Sequence, residues 1–276
     1  MIAPFRNALF WLALIIQMAG CAMTPANPDN SIRSRLNSND TTYVKSGDRS
    51  PAIVLQAGFG DGKAVWGAVS EELAPDFTIF AYDRPGYAGN PATETPRDPC
   101  TIASELRSQL RAAGSPPPYI LVGHSLGGLY QYVFSRLYPD DVAGLVLLDP
   151  THPRHWERMQ HDVPSAASLI KAMSLVAFSS TMRREFEAQA NCLDRLENVQ
   201  TRAIPTRLLV SARFKSVEKG EFESMVKSLR QDWLRLTGAP RIEVIYDAGH
   251  YIQKDSPEDV AAAVRAVFAE MKKASP

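Results

Sequence analysis

The 276-residue chain is short of several things at once. It has three cysteines and five histidines. Three cysteines are too few for a disulfide scaffold, and none stands at zinc-site spacing, so a staple-dependent miniature fold and a structural zinc domain are excluded. Neither sign of charge is in excess, because thirty Lys and Arg balance thirty Asp and Glu. A balanced chain carries no electrostatic footprint for nucleic acid, so no nucleic-acid partner is expected. Repeats, low-complexity arrays and an acidic tail are all missing. At 45% hydrophobic and 22% charged, the chain falls outside the disordered and fibrous classes. What is left is a core-forming body whose length suits one α/β domain.

Long apolar runs are also missing, apart from Ala8 to Ile16 near the start. That run is shorter than the ~20 residues that span a bilayer. It fits the apolar region of a secretory signal, with Arg6 as the only charged side chain before Asp29. The run ends in Met18-Ala19-Gly20-Cys21. Small residues just before a cysteine resemble a bacterial lipobox, in which Cys21 becomes the lipidated first residue of the mature chain. The alternative is an ordinary signal peptide with Cys21 an incidental thiol. Residues 1–20 are thus expected to be a signal, residues 21–48 a flexible tether, and residues 49–276 the folded domain. This reading places the protein in the bacterial periplasm or cell envelope, with membrane contact only through the lipidated N-terminus. In an oxidising compartment Cys100 and Cys192 either pair or remain two separate buried thiols.

Beyond the tether, short Val-, Ile- and Leu-rich runs alternate with helical patterns. Strands are expected at Ala52 to Gln56, Phe77 to Tyr82, Tyr119 to Val122, Gly144 to Leu148, Leu208 to Ser211 and Ile242 to Tyr246. Helices are expected at Trp66 to Leu73, at Thr101 to Ala113 with Thr101 as its cap, and at Gly127 to Tyr138. Runs apolar on both faces suit a mostly parallel sheet covered by helices, so the fold class is α/β. Two further stripes, Phe222 to Leu236 and Val260, Val264 and Val267, read as core-packing helices. Between about residues 151 and 204 the strand pattern lapses. This stretch reads as a helical insertion, placed beyond a strand's C-terminal end like a lid over a crevice.

The chemistry centres on Gly123-His124-Ser125-Leu126-Gly127-Gly128, a G-x-S-x-G between a strand and a helix. Such a turn is tight enough to need small residues at Gly123 and Gly127, and it presents the serine hydroxyl beside a helix N-terminus that favours developing negative charge. A serine needs a base. Of the five histidines, His250 follows the last strand and so stands on the same sheet edge as Ser125. His124 is trapped in the turn. His152, His155 and His161 cluster in the insertion, and no carboxylate or thiol completes a metal site around them.

Four segments carry a resemblance: Gln56-Ala57-Gly58-Phe59-Gly60, Tyr82-Asp83-Arg84-Pro85-Gly86-Tyr87, the turn around Ser125, and Gly249-His250-Tyr251 ahead of Pro257. From Ala52 to about Ala269 the chain resembles α/β-hydrolase fold proteins of the esterase and lipase type. The resemblance implies that Ser125 attacks an acyl carbonyl, that His250 takes and returns the proton, and that the backbone N–H groups of Phe59 and Leu126 hold the oxyanion. It implies a small-molecule ester substrate and neither a metal nor an organic cofactor. The third member of the triad departs from the usual pattern. The strand after the insertion runs into Ala212-Arg213-Phe214-Lys215, with no carboxylate. Asp149, one strand earlier, keeps the order serine, acid, histidine, and Glu218 and Glu221 stand in reserve. Asp83 reads as a structural partner of Arg84 or of loop backbone. Lactonase, thioesterase, amidase and acyltransferase chemistry use the same machinery. A non-catalytic binding lipoprotein on the same fold is the rival from a different class.

Overall fold

The computed structural model describes residues 32–35, 42–196, 199 and 203–274. The apolar run, Cys21 and the first part of the expected tether lie outside the described residues. Among the described residues eight strands form one sheet: β1 (Ile32–Arg35), β2 (Thr42–Ser46), β3 (Ala52–Gln56), β4 (Thr78–Tyr82), β5 (Tyr119–His124), β6 (Val142–Leu148), β7 (Thr206–Ser211) and β8 (Ile242–Ile245). Their order is β1-β2-β4-β3-β5-β6-β7-β8. The strands from β4 through β3 to β8 are parallel, whereas β1–β2 and β2–β4 are antiparallel.

The expected tether therefore ends earlier than residue 48. Thr42–Ser46 pairs along β4, with Tyr43 opposite Tyr82, and Tyr43 is buried in a stack on Phe80. This strand, second from the edge of the sheet and with one buried aromatic, lacks the continuous apolar run that marks β3 and β5, which is why composition alone made it resemble a linker.

Alternate residues of the central strands face two separate cores, as a period of two requires. Val54, Phe80, Leu121 and Leu147 pack against helices α2 (Pro99–Ala112) and α3 (Leu126–Leu137). Ile53, Ile79, Ile120 and Val146 pack against helices α1 (Gly67–Leu73) and α9 (Pro257–Ala274), where Val260, Val264 and Val267 are fully buried. Each such side chain contributes roughly 1.5–3 kcal/mol relative to exposure. Helix α2 starts two residues before its expected cap. Asp98 is the cap: its carboxylate accepts from the N–H groups of Cys100 and Thr101, and Pro99 occupies the first turn. Asp is a stronger cap than Thr, and proline is pre-shaped for the position after it.

The chain between β6 and β7 forms helices α4 (His155–Asp162), α5 (Pro164–Ala177) and α6 (Ser180–Ala188), then a 3-10 turn at Leu193–Leu196. Met159, Val163, Ala166 and Ala167 of this insertion pack on Met225 and Leu229 of helix α7 (Glu221–Thr237). A Cys100–Cys192 disulfide, with Cα atoms 6.3 Å apart, ties α2 to the far end of the insertion. A short helix α8 (Ile252–Asp255) leads into α9.

Candidate active site

The turn after β5 is built from backbone constraints. Ser125 has φ +52° and ψ −122°, in the left-handed half of the map that residues with a side chain rarely occupy. It stays there because both its main-chain groups are committed. Its N–H donates to the Leu148 carbonyl at 3.0 Å, and its carbonyl accepts from Gly128 and Thr151, each at 2.9 Å. Neither flanking glycine has room for a side chain. A Cβ on Gly123 would lie 2.5 Å from the Gly127 carbonyl oxygen, and one on Gly127 would overlap the Gln56 carbonyl. Leu126 opens α3, where the first N–H groups have no acceptor within the helix.

Asp149 ends β6 with φ +40° and a side chain only 6% exposed. Its N–H donates to the Leu209 carbonyl at 2.9 Å. Its Oδ1 accepts from the Ser211 N–H at 3.2 Å and from the Arg230 guanidinium at 2.7 Å. Its Oδ2 faces Nδ1 of His250 at 3.4 Å. Facing a carboxylate, Nδ1 is the protonated ring nitrogen, which leaves Nε2 as the lone-pair nitrogen. His250 is held from behind by His124. The His124 ring lies 4.7 Å away at a tilt of 53°, and its Nε2 lies 2.8 Å from the His250 carbonyl. Burial, reinforced by the nearby His250, keeps the His124 pKa well below its ordinary value, so the ring is neutral. Its Nε2–H therefore donates to that carbonyl, and Nδ1 is buried without a partner among the described residues.

The Phe59 loop is fixed by a cluster that sequence reasoning did not foresee. The Arg84 guanidinium donates to the carbonyls of Ala57 at 2.7 Å and Gly58 at 2.9 Å. A trans peptide points its C=O and N–H in opposite directions, so holding the Gly58 carbonyl turns the Phe59 N–H away from Arg84. Arg84 is itself gripped by both carboxylate oxygens of Glu185 on α6, each at 3.1 Å. Glu185 also accepts from the Tyr87 hydroxyl at 2.7 Å and pairs with Arg97 at 3.4 Å. All four residues are buried. Asp83, expected to partner Arg84 or loop backbone, takes the second role: its carboxylate accepts from the Lys63 N–H at 2.6 Å and pairs with the Lys63 ammonium.

Ser125, Leu126, Phe59, Asp149 and His250 all line one cavity of about 340 Å³. No hydrogen bond joins Ser125 to His250 among the described residues, a looseness common in unliganded sites. Trp156, Met173, Phe178, Met182 and Phe186 of the insertion also line this cavity. Phe178 meets the Phe59 ring edge-on at 5.0 Å. The α7 stripe expected to be core is shared, since Phe222, Val226 and Leu229 also line the cavity. Glu218 lines it too, but accepts from the Lys215 N–H at 2.7 Å and caps a local turn. Glu221 begins α7. Among the described residues neither contacts His250. The three insertion histidines do not converge: His152 pairs with Asp232 at 3.0 Å, His161 with Asp162 at 2.7 Å, and the His155 ring meets Phe222. Arg230, the strongest partner of Asp149, had no local signal, because 81 residues separate the two.

Comparison with known proteins agrees with this architecture. The chain is 27% identical over 228 residues to the uncharacterized protein YqjL of Bacillus subtilis, covering 82% of this chain and 87% of that one. It is 33% identical over 145 residues to a pimeloyl-[acyl-carrier protein] methyl ester esterase of Chromobacterium violaceum, covering 51% and 54%. Among solved structures, an esterase from Thermogutta terrifontis superposes with a TM-score of 0.61 at 21% identity, covering 88% of this chain and 99% of the other, a likeness of fold. Residues 53–263 match the profile of the alpha/beta hydrolase family, and the chain belongs to that family.

Proposed function

We propose that the protein is a serine hydrolase that cleaves carboxylic esters through an acyl-enzyme. One observation carries this reading: Ser125, in its strained left-handed turn, shares a cavity wall with the His250–Asp149 pair. A serine hydroxyl is a weak nucleophile until a base removes its proton. His250 Nε2 takes that proton as Oγ bonds to the acyl carbon, and Asp149 holds the ring in the required tautomer and stabilises the imidazolium. The carbonyl oxygen gains negative charge and is met by the N–H groups of Leu126 and Phe59. His250 then returns the proton to the leaving alcohol. Water, activated by the same imidazole, releases the acid and restores Ser125. A serine at position 125, not an aspartate, disfavours the alkyl-enzyme route. The apolar wall from the insertion suits a hydrophobic substituent. The esterase named for the Chromobacterium relative supports the same reaction class.

A fluorophosphonate probe tests this directly. It is expected to label the wild type and not Ser125→Ala, and a panel of p-nitrophenyl esters of graded chain length is expected to be hydrolysed by the wild type alone. A folded wild type that neither takes the label nor turns over any ester would point to the binding-lipoprotein alternative.

We further propose that the mature chain is anchored in the bacterial cell envelope through lipidated Cys21. The Cys100–Cys192 disulfide supports export, because such bonds persist in oxidising compartments. Cys21→Ala is expected to move the protein from the membrane to the soluble fraction, and unchanged membrane retention would count against the anchor.

A further inference from the structure

Three imidazoles line the cavity, and their commitments differ. His250 gives Nδ1 to Asp149, and on the proposed mechanism its Nε2 serves Ser125. His152 has both nitrogens engaged: Nε2 with Asp232 at 3.0 Å, and Nδ1 with the Arg154 N–H at 3.1 Å. His155, one helical turn further along at the start of α4, makes no side-chain hydrogen bond among the described residues. Its ring lies edge-on to Phe222 with centroids 6.3 Å apart, in a wall that also holds Trp156, Met159 and Phe186. Phenylalanine or leucine would pack equally well in this wall, whereas the half-buried imidazole brings to it two ring nitrogens that no protein group engages among the described residues.

Burial lowers the His155 pKa to about 4, with the charges of His152 and His250 adding to the effect. At neutral pH the ring is therefore uncharged, with one N–H donor and one nitrogen acceptor. Such a group matches a hydroxyl or a carbonyl oxygen and has no charge to offer a carboxylate.

We infer that His155 is a specificity-determining residue that hydrogen-bonds one neutral oxygen, a hydroxyl or carbonyl, on the otherwise apolar part of the substrate lodged beneath the insertion. The preferred substrates are then oxygenated apolar esters in place of plain hydrocarbon ones. This rests on the ester-hydrolase reading for the site but is measured separately from it.

The experiment uses the Ser125→Ala protein, which binds without turnover. Dissociation constants are measured by calorimetry for medium-chain esters matched in pairs, plain against singly hydroxylated. One series carries the hydroxyl at successive carbons of the acyl group and a second carries it on the alcohol group, so the two sources of the oxygen are distinguished. At least one hydroxylated ester is expected to bind about tenfold tighter than its plain partner, the size of one neutral hydrogen bond. Adding His155→Phe should bring that ratio to about one, and His155→Gln should retain part of it. The imidazole nitrogen NMR resonances of His155 should shift with the hydroxylated ester and not with the plain one, a readout that needs no second variant to fold. Equal binding within every pair, an advantage that survives His155→Phe, or unmoved His155 resonances would each overturn the inference. Turnover of plain esters by protein with Ser125 intact reads the parent function independently of these ratios.

Discussion

On the sheet side of the cavity, Ser125, Asp149 and Phe59 each lie within a few residues of a strand end and are positioned by main-chain hydrogen bonds to neighbouring strands or by Arg84 on the loop carbonyls. On the insertion side, Trp156, Phe178 and Phe186 project from or flank helices and are positioned by contact with one another, at ring distances of 4.7 Å and 5.6 Å. Backbone-held groups have almost no freedom, which proton transfer and oxyanion binding demand. Side-chain-held groups can repack, so this wall has more freedom to change shape than the sheet side. The boundary is crossed by Glu185, which stands on the insertion yet grips the arginine that sets the Phe59 loop.

The largest expected effect is on the rigid side. Asp149→Asn should lower kcat by a factor on the order of 10⁴, because the amide no longer enforces the tautomer of His250. Steady-state kinetics on a p-nitrophenyl ester would show it. Near-normal turnover, with Glu218→Gln or Glu221→Gln inactive instead, would move the acid from the sheet edge to the α7 approach and break the comparison.

Next comes the boundary. Glu185→Gln leaves Arg84 without its counter-charge and weakens the pairing of buried Arg97. Breaking a buried pair costs about 3–5 kcal/mol of folding stability, to be measured by denaturant titration. The same variant should reduce kcat through the Phe59 loop. Full stability and activity would mean that the two walls are uncoupled.

The smallest effect sharpens the contrast on the insertion side. Burial holds the insertion's His152, and with it His124 at the end of β5, below the ordinary histidine value of 6.5, and the insertion's His155 falls to about 4. In the unfolded chain these rings take up protons near 6.5 while the folded protein resists, so the unfolded state binds more protons over that interval. Stability is then complete above about pH 7 and falls as pH drops through 6.5 toward 4. The fall of His155 from 6.5 to about 4 corresponds to roughly 3 kcal/mol of the loss. Thermal melts across that range should show the decline, and His155→Phe should make it shallower. A flat profile would mean that His155 is open to bulk water.

Legibility in the sequence followed distance along the chain. The turn around Ser125, the strand before it and the helix after it were readable because the constraint is complete within a few residues: an apolar strand, two glycines that exclude a side chain, and a helix start. His250 was readable from its place after the last strand. The Asp98 cap was within reach too, since proline follows it, but Thr101 offered a competing cap. Residues 42–46 looked like linker because only Tyr43 and Val44 interrupt the polar residues, and the pairing partner at residues 79–82 lies far along the chain. The Arg84–Glu185 and Asp149–Arg230 pairs span 101 and 81 residues and leave no periodic trace.

Local covalent geometry and apolar patterning by themselves determined the α/β layering, the tight turn at Ser125 and the placing of His250 at the same sheet edge, because those depend on neighbours in the chain. Only the tertiary structure decided which arginine meets which carboxylate, that residues 42–46 belong to the sheet, and which insertion imidazole lines the cavity without a side-chain hydrogen bond among the described residues. Those outcomes depend on which side chains meet once distant segments have packed, and a linear sequence does not record that.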